Sequence, residues 1–167
     1  LERKWEDYRQ RLRLIDFQVE RKQAGTVQVM AAYKLRQAAS PLRMTYLIDE
    51  YGSLEISFEL IPRVEMLRFG LQTVLNWNFS RVSWFGRGPH ETMPDRKTGG
   101  VIGIHQCGGD QIRFDYIHPQ ENGNRSDVRW AAFTDQNGKG IRIESGAEDL
   151  PLGHKASQRR QPAQAQH

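Results

Sequence analysis

Residues 53–61, SLEISFELI, place Leu54, Ile56, Phe58 and Leu60 on one side of an extended chain and Glu55, Ser57 and Glu59 on the other. A period of two with one dry side and one wet side is the pattern of an antiparallel strand, because successive side chains leave opposite faces. Just upstream, MTYLI (44–48) is joined to it by DEYG (49–52), whose final glycine predicts a hairpin. VQVMAAYKLR (27–36) keeps the same period, with Val27, Val29, Ala31, Tyr33 and Leu35 on one face and Gln28, Lys34 and Arg36 on the other. Further strands are predicted at MLRFGLQTVL (66–75), VIGIH (101–105), IRFDYI (112–117), VRWAAFT (128–134) and GIRIE (140–144). The last two are joined by DQNGK (135–139), whose Asn137-Gly138 pair is a strong hairpin signal. Many short strands separated by turn residues predict an all-β sandwich or barrel-like pair of sheets. Trp5, Tyr8 and Leu12 fall at helical spacing and predict one short amphipathic helix ahead of the sheets.

The 167 residues suit one ordinary domain. From Ser145 onward the period is lost among Gln, Ala, Arg and Pro, a composition that buries too little apolar surface to offset its ordering entropy. The expected organisation is therefore a sandwich over residues 1–146 and an irregular or disordered tail over 147–167. The formal net charge is +4, yet 24 basic residues are interleaved with 20 acidic ones, which describes a solvated mixed-charge surface rather than a nucleic-acid stripe. No apolar run is long enough to span a membrane and no hydrophobic leader opens the sequence, so a soluble, cytoplasmic chain is expected.

The single cysteine, Cys107, excludes an intrachain disulfide and a cysteine-cluster metal site. His90, His105, His118, His154 and His167 stand at no zinc spacing, and GRGP (86–89) opens neither a dinucleotide site nor a phosphate loop. Neither a metal nor an organic cofactor is expected.

Two polar stretches carry the candidate chemistry. SRVSWFGRGPHETMPDRKTGG (80–100) sets Arg87, His90, Glu91, Asp95, Arg96 and Lys97 behind Trp84 and Phe85. DYIHPQENGNRSDVRW (115–130) carries His118, Gln120, Glu121, Asn122, Asn124, Arg125, Asp127, Arg129 and Trp130 around an Asn122-Gly123 turn. Aromatic rings beside charged and amide groups are a good sugar-contact set. The same residues also make a good structural set, with arginines tied to Glu91 or Asp95, and both readings stand at this level. Glu91 and Glu121 do not sit in a recognisable barrel pattern, so hydrolysis by a carboxyl pair is not expected of them.

WFGRGPHETMPDRKTG (84–99) and YIHPQENGNRSDVRW (116–130) closely resemble, in order and separation, the two motifs of the small-chain region, the C-terminal domain, of family 2 β-galactosidases. The similarity is convincing from about Ser83 to Thr134 and weaker, though consistent in strand pattern, toward the start. The resemblance implies an antiparallel supersandwich of the galactose mutarotase type, here truncated, because the family domain continues past the second motif. In that family the catalytic glutamates belong to a separate barrel domain, which implies no catalytic residue here and no hydrolase activity from this chain alone. The implied role is a noncatalytic accessory domain that packs against a catalytic glycosidase domain or chain and shapes a cleft for a galactoside-type carbohydrate. The implied cleft-edge or carbohydrate-binding residues are Trp84, Arg87, His90, Glu91, Glu121, Asn122, Arg125 and Trp130, with Asp95, Arg96, Asp127 and Arg129 as an ion-pair scaffold. Where the family has a tyrosine after the first motif's glutamate this chain has Met93, so an aromatic hydroxyl at a cleft or interface is lost. A truncated sandwich also implies exposed strand edges and a tendency to homo-oligomerise. The alternatives are a freestanding carbohydrate-binding module using Trp84, His90, Glu121 and Trp130 on one concave face, and an aldose epimerase using His118 and Glu121.

Overall fold

Alternation in residues 54–59 is realised as a strand at the edge of a four-stranded antiparallel meander. The computed structural model describes residues 12–22, 25–36, 38–63, 65, 69–76, 78–113, 116–117 and 122–146. They fall into two compact units, Leu1–Phe69 and Gly70–His167.

The first unit holds β1 (Arg13–Arg21), β2 (Val27–Lys34), β3 (Leu42–Ile48) and β4 (Leu54–Glu59), ordered β1-β2-β3-β4. Register puts Phe17, Ala31, Met44 and Phe58 in one row across the sheet and Val19, Val29, Tyr46 and Ile56 in the next. The alternate rows, such as Glu20, Gln28, Leu47 and Glu55, form a mostly polar face. The turn between β3 and β4 is closed by Asp49, whose Oδ1 accepts from the amides of Tyr51 (2.9 Å) and Ser53 (2.8 Å). A short aspartate that hydrogen-bonds the amides following it fixes the turn, as the DEYG signal predicts.

The second unit holds β5 (Arg81–Gly88), β6 (Val101–Gly108), β7 (Trp130–Thr134) and β8 (Gly140–Glu144), ordered β6-β5-β7-β8. Every pairing is antiparallel. Central β5 alternates buried and outward residues: Val82 and Trp84 are buried and face Phe133 and Ala131 of β7. Leu75, Phe79, Cys107, Ile112, Val128 and Ile143 pack around these four to make the core. Trp84 keeps 2 % of its surface, so its indole contributes its apolar area in full, and its Nε1–H donates to the Arg87 carbonyl at 2.9 Å. At the β7–β8 hairpin Asp135 repeats the device of Asp49, accepting from Asn137 and Lys139.

The all-β antiparallel expectation is what the two sheets show. Two details differ, and a third falls almost wholly outside the described residues. The predicted strand over 66–75 is absent from its described part: residues 69–75 are irregular, with Gly70 among them, and Phe69 meets Phe58 edge-on at 5.0 Å. The predicted strand over 112–117 is likewise absent from its described part: Gly109–Ile112 is a 3-10 helix held by Gln111, whose Oε1 accepts from the Gly108 amide, and Arg113, Tyr116 and Ile117 are irregular. The predicted N-terminal helix lies outside the described residues except for Leu12, which is not helical.

Candidate functional site

Both motif segments meet at the Gly88 end of β5. Gly86 has no room for a side chain: a Cβ there would stand 2.8 Å from the Val128 Cα, so glycine lets the second segment cross directly over the strand. Two backbone bonds fasten the crossing, from the Arg87 amide to the Ser126 carbonyl (3.0 Å) and from the Arg129 amide to the Phe85 carbonyl (2.8 Å). The Gly88-Pro89 peptide is cis.

At the centre lies Thr92, 2 % exposed. Its amide donates to the Asn124 carbonyl (3.0 Å), its carbonyl accepts from Asn124 Nδ2 (2.7 Å) and Ser126 Oγ (3.1 Å), and its hydroxyl accepts from the Ser126 amide (2.9 Å). Buried polar groups that satisfy one another in this way specify a single arrangement, since any loosening leaves a donor or acceptor without a partner.

Two charged anchors flank Thr92. On one side the Asp127 carboxylate receives Arg87 Nε at 2.8 Å and Lys97 Nζ at 3.0 Å. The same arginine donates through Nη1 to the carbonyls of Gly100 (2.9 Å) and Lys97 (3.2 Å), so one guanidinium joins both segments. On the other side Glu91, whose side chain is 8 % exposed, accepts from the Tyr116 hydroxyl and from the Gly123 amide at 2.5 Å. Gly123 holds φ +78°, which glycine adopts freely and which turns its amide to the carboxylate. Arg96 Nη2 stands 3.6 Å from Glu91 Oε1 and is exposed.

Arg125 is buried behind these anchors, its guanidinium 4.9 Å from the Trp84 ring centroid. Its Nη1 donates to the Asn124 carbonyl at 3.2 Å while its Nε is buried without a hydrogen-bond partner. Burial holds this guanidinium below its ordinary pKa, opposed by the charges of Cys107 and Glu91. Burial also pushes the Cys107 thiol up, against the opposing effect of Arg125. Trp84 further stacks on His105 at 5.4 Å, so its ring is enclosed by protein.

Arg87, Glu91, Arg125 and Asp127 are thus brought together as a lock between the two segments. His90 and Asp95 are exposed, and Asp95 forms no ion pair among the described residues. Arg129 stacks 4.9 Å from the Phe85 ring rather than pairing with a carboxylate. Asn122 is half-buried. Trp130 is paired with Phe85, one residue out of phase with the Trp84–Ala131 pair, so the two tryptophans occupy opposite faces of the sheet rather than one concave surface. Met93 is 8 % exposed, an interior position of this chain rather than an open cleft edge. His118, Gln120 and Glu121 lie outside the described residues.

Reading by residue type passed over Thr92, Ser126 and Tyr116, which are as central as the charged residues. The only signal for Thr92 and Ser126 is their place beside chemistry-bearing neighbours, because a hydroxyl in a loop has many partners to choose from. Among the described residues no group of three or more His, Cys, Asp or Glu converges on a metal position, and no helix is long and apolar enough to cross a membrane.

Comparison with known proteins agrees with the two motifs. The chain matches the β-galactosidase small-chain family over residues 2–167. It is 33 % identical over 153 residues to a β-galactosidase of Lactobacillus delbrueckii subsp. bulgaricus, covering 89 % of this chain and 15 % of that protein. A β-galactosidase of Priestia megaterium is 36 % identical over 104 residues, covering 60 % of this chain and 10 % of that protein. β-Galactosidase BgaC of Bifidobacterium adolescentis is 27 % identical over 148 residues, covering 84 % and 14 % respectively. In each case the chain spans a small fraction of its relative's length. With a match that runs along nearly all of its residues, this chain belongs to the β-galactosidase small-chain family.

Proposed function

We propose that this chain is a noncatalytic accessory domain of a β-galactosidase-like glycoside hydrolase, packing against a catalytic barrel and shaping the edge of its carbohydrate cleft. The observation that carries the reading is the lock itself: Arg87, Glu91 and Asp127 spend their hydrogen bonds on the two motif segments. The Glu91 carboxylate is occupied by a tyrosine hydroxyl and a backbone amide of the second segment, so its oxygens are committed within the lock. The small share of each relative that this chain matches fits a part that contributes to a cleft built mainly elsewhere. Two antiparallel four-stranded sheets are the material from which a mutarotase-like supersandwich is made. The exposed residues of the first motif segment, His90 among them, are the ones available to border a galactoside.

The test is complementation. The L. delbrueckii β-galactosidase, shortened by the stretch aligned with this chain, is assayed on a chromogenic β-galactoside with and without the purified chain, and in a second form with the chain spliced in its place. Hydrolysis restored by either route, with none from the chain alone, is the expected result. A folded chain that hydrolyses the substrate unaided overturns the reading, as does a folded splice that stays inactive.

A further inference from the structure

Alternation along β5 sends Val82 and Trp84 into the core and Ser83, Phe85 and Arg87 to the other face of the same sheet. On that second face one row runs Ile104, Phe85, Trp130, Glu144 across all four strands. Its floor is apolar and open, Ile104 being 74 % and neighbouring Ile102 47 % exposed. Phe85 and Trp130 are only half-buried, and each carries a guanidinium: Arg129 is 4.9 Å from the Phe85 centroid and Arg142 is 4.6 Å from that of Trp130. The rings thus present arginine donors over an apolar floor instead of bare faces for a pyranose. The charges on this face do not balance. Glu144 is taken by Arg142 at 2.6 Å, whereas Arg129 and Arg81 have no carboxylate partner among the described residues.

We infer that this face is a protein-docking surface whose partner is a carboxylate-bearing surface of the catalytic portion, with Arg129 as its principal charged contact and Ile104 as its apolar one. The inference rests on the accessory-domain reading and adds to it the face that docks and the chemistry it meets. Arginine set on an aromatic ring whose cross-strand neighbour is an exposed isoleucine has the composition of binding hot spots. A guanidinium already positioned by cation–π stacking loses little freedom when it donates to a carboxylate's two oxygens, and Arg129 has no carboxylate partner among the described residues. The excess positive charge selects an acidic partner and disfavours a basic one.

The experiment measures affinity of the immobilised chain for the shortened L. delbrueckii β-galactosidase, comparing wild type, Arg129→Glu and Ile104→Ser at low and high sodium chloride. Wild-type binding is expected to weaken as salt rises, Arg129→Glu to weaken it roughly tenfold or more, and Ile104→Ser to weaken it several-fold with an unchanged melting temperature. Ile104→Ser keeps the test independent of Arg129, since Ile104 sits exposed on edge strand β6. Equal affinity of all three proteins overturns the surface assignment and leaves the accessory reading standing. No wild-type binding from a folded chain and a folded partner overturns the docking surface as well; only an inactive folded splice in addition overturns the accessory reading.

Discussion

The two sheets are built alike and finished differently. Each has four antiparallel strands with alternating apolar and polar residues, yet the second closes over Val82, Trp84, Ala131 and Phe133, all at or below 4 % exposure. In the first, Phe17 remains 56 %, Val19 57 % and Leu54 53 % exposed, and every residue of β1 is exposed. Alternation suffices to make a sheet, but a core needs a cover. In the second unit the cover comes from Leu75, Phe79, Ile112 and Val128, residues outside the strands, and the segment carrying Val128 is held in place by the Thr92 and Asp127 anchors. The lock that looks like a binding site therefore also closes the core.

That comparison can be broken most decisively at its two extremes. Trp84→Ala is expected to destabilise by about 3–5 kcal/mol, the loss of a large buried aromatic side chain, whereas Phe17→Ala changes stability by about 0.5 kcal/mol or less, as at an ordinary exposed site. Urea unfolding of both variants checks the pair, and equal losses would mean that the first sheet is as well covered as the second. Next in size, Thr92→Val keeps the shape but removes the acceptor of the Ser126 amide, with an expected cost of about 1–3 kcal/mol. Hydrogen exchange at that amide should then rise, and unchanged protection would remove Thr92 from the lock.

Arg96→Ala should be milder, about 0–1 kcal/mol, since this arginine is exposed and 3.6 Å from Glu91. A larger loss in thermal unfolding would move Arg96 into the anchor beside Arg87. The smallest effect concerns pH. The Cys107 thiol is raised by burial in the folded chain, so the folded state favours the protonated form. Its contribution to stability is full below the ordinary thiol pKa and declines as pH rises through that value to the raised one. Cys107→Ser should flatten this alkaline decline in a pH series of melting temperatures.

Much of this was legible in the sequence, for identifiable reasons. Residues 54–59 and the turns at Asp49 and Asn137-Gly138 declare themselves because local chemistry alone determines them. β1 does not, since a bulge between Leu14 and Asp16 shifts the phase of its alternation and hides the apolar row of Leu14, Phe17 and Val19. Gly108-Gly109-Asp110 turns the chain into a 3-10 helix where apolar spacing alone suggests a strand. The motifs locate the site but not its inner order. Trp84 and Trp130 look equivalent in sequence, and only register shows that one is core and the other lies on the opposite face. Arg129 pairs with a ring instead of an acid for the same reason, because strand phase decides which neighbour it meets.

The central claim is that Arg87, Glu91 and Asp127 serve to hold the two motif segments together and that the chain by itself forms no complete sugar site. Calorimetric titration of the folded chain with galactose and with lactose, carried to millimolar concentration, tests it most directly. The account predicts no saturable heat with either sugar. Saturable binding that disappears in Arg87→Ala at an unchanged melting temperature would contradict it, and would make the lock a binding site in its own right.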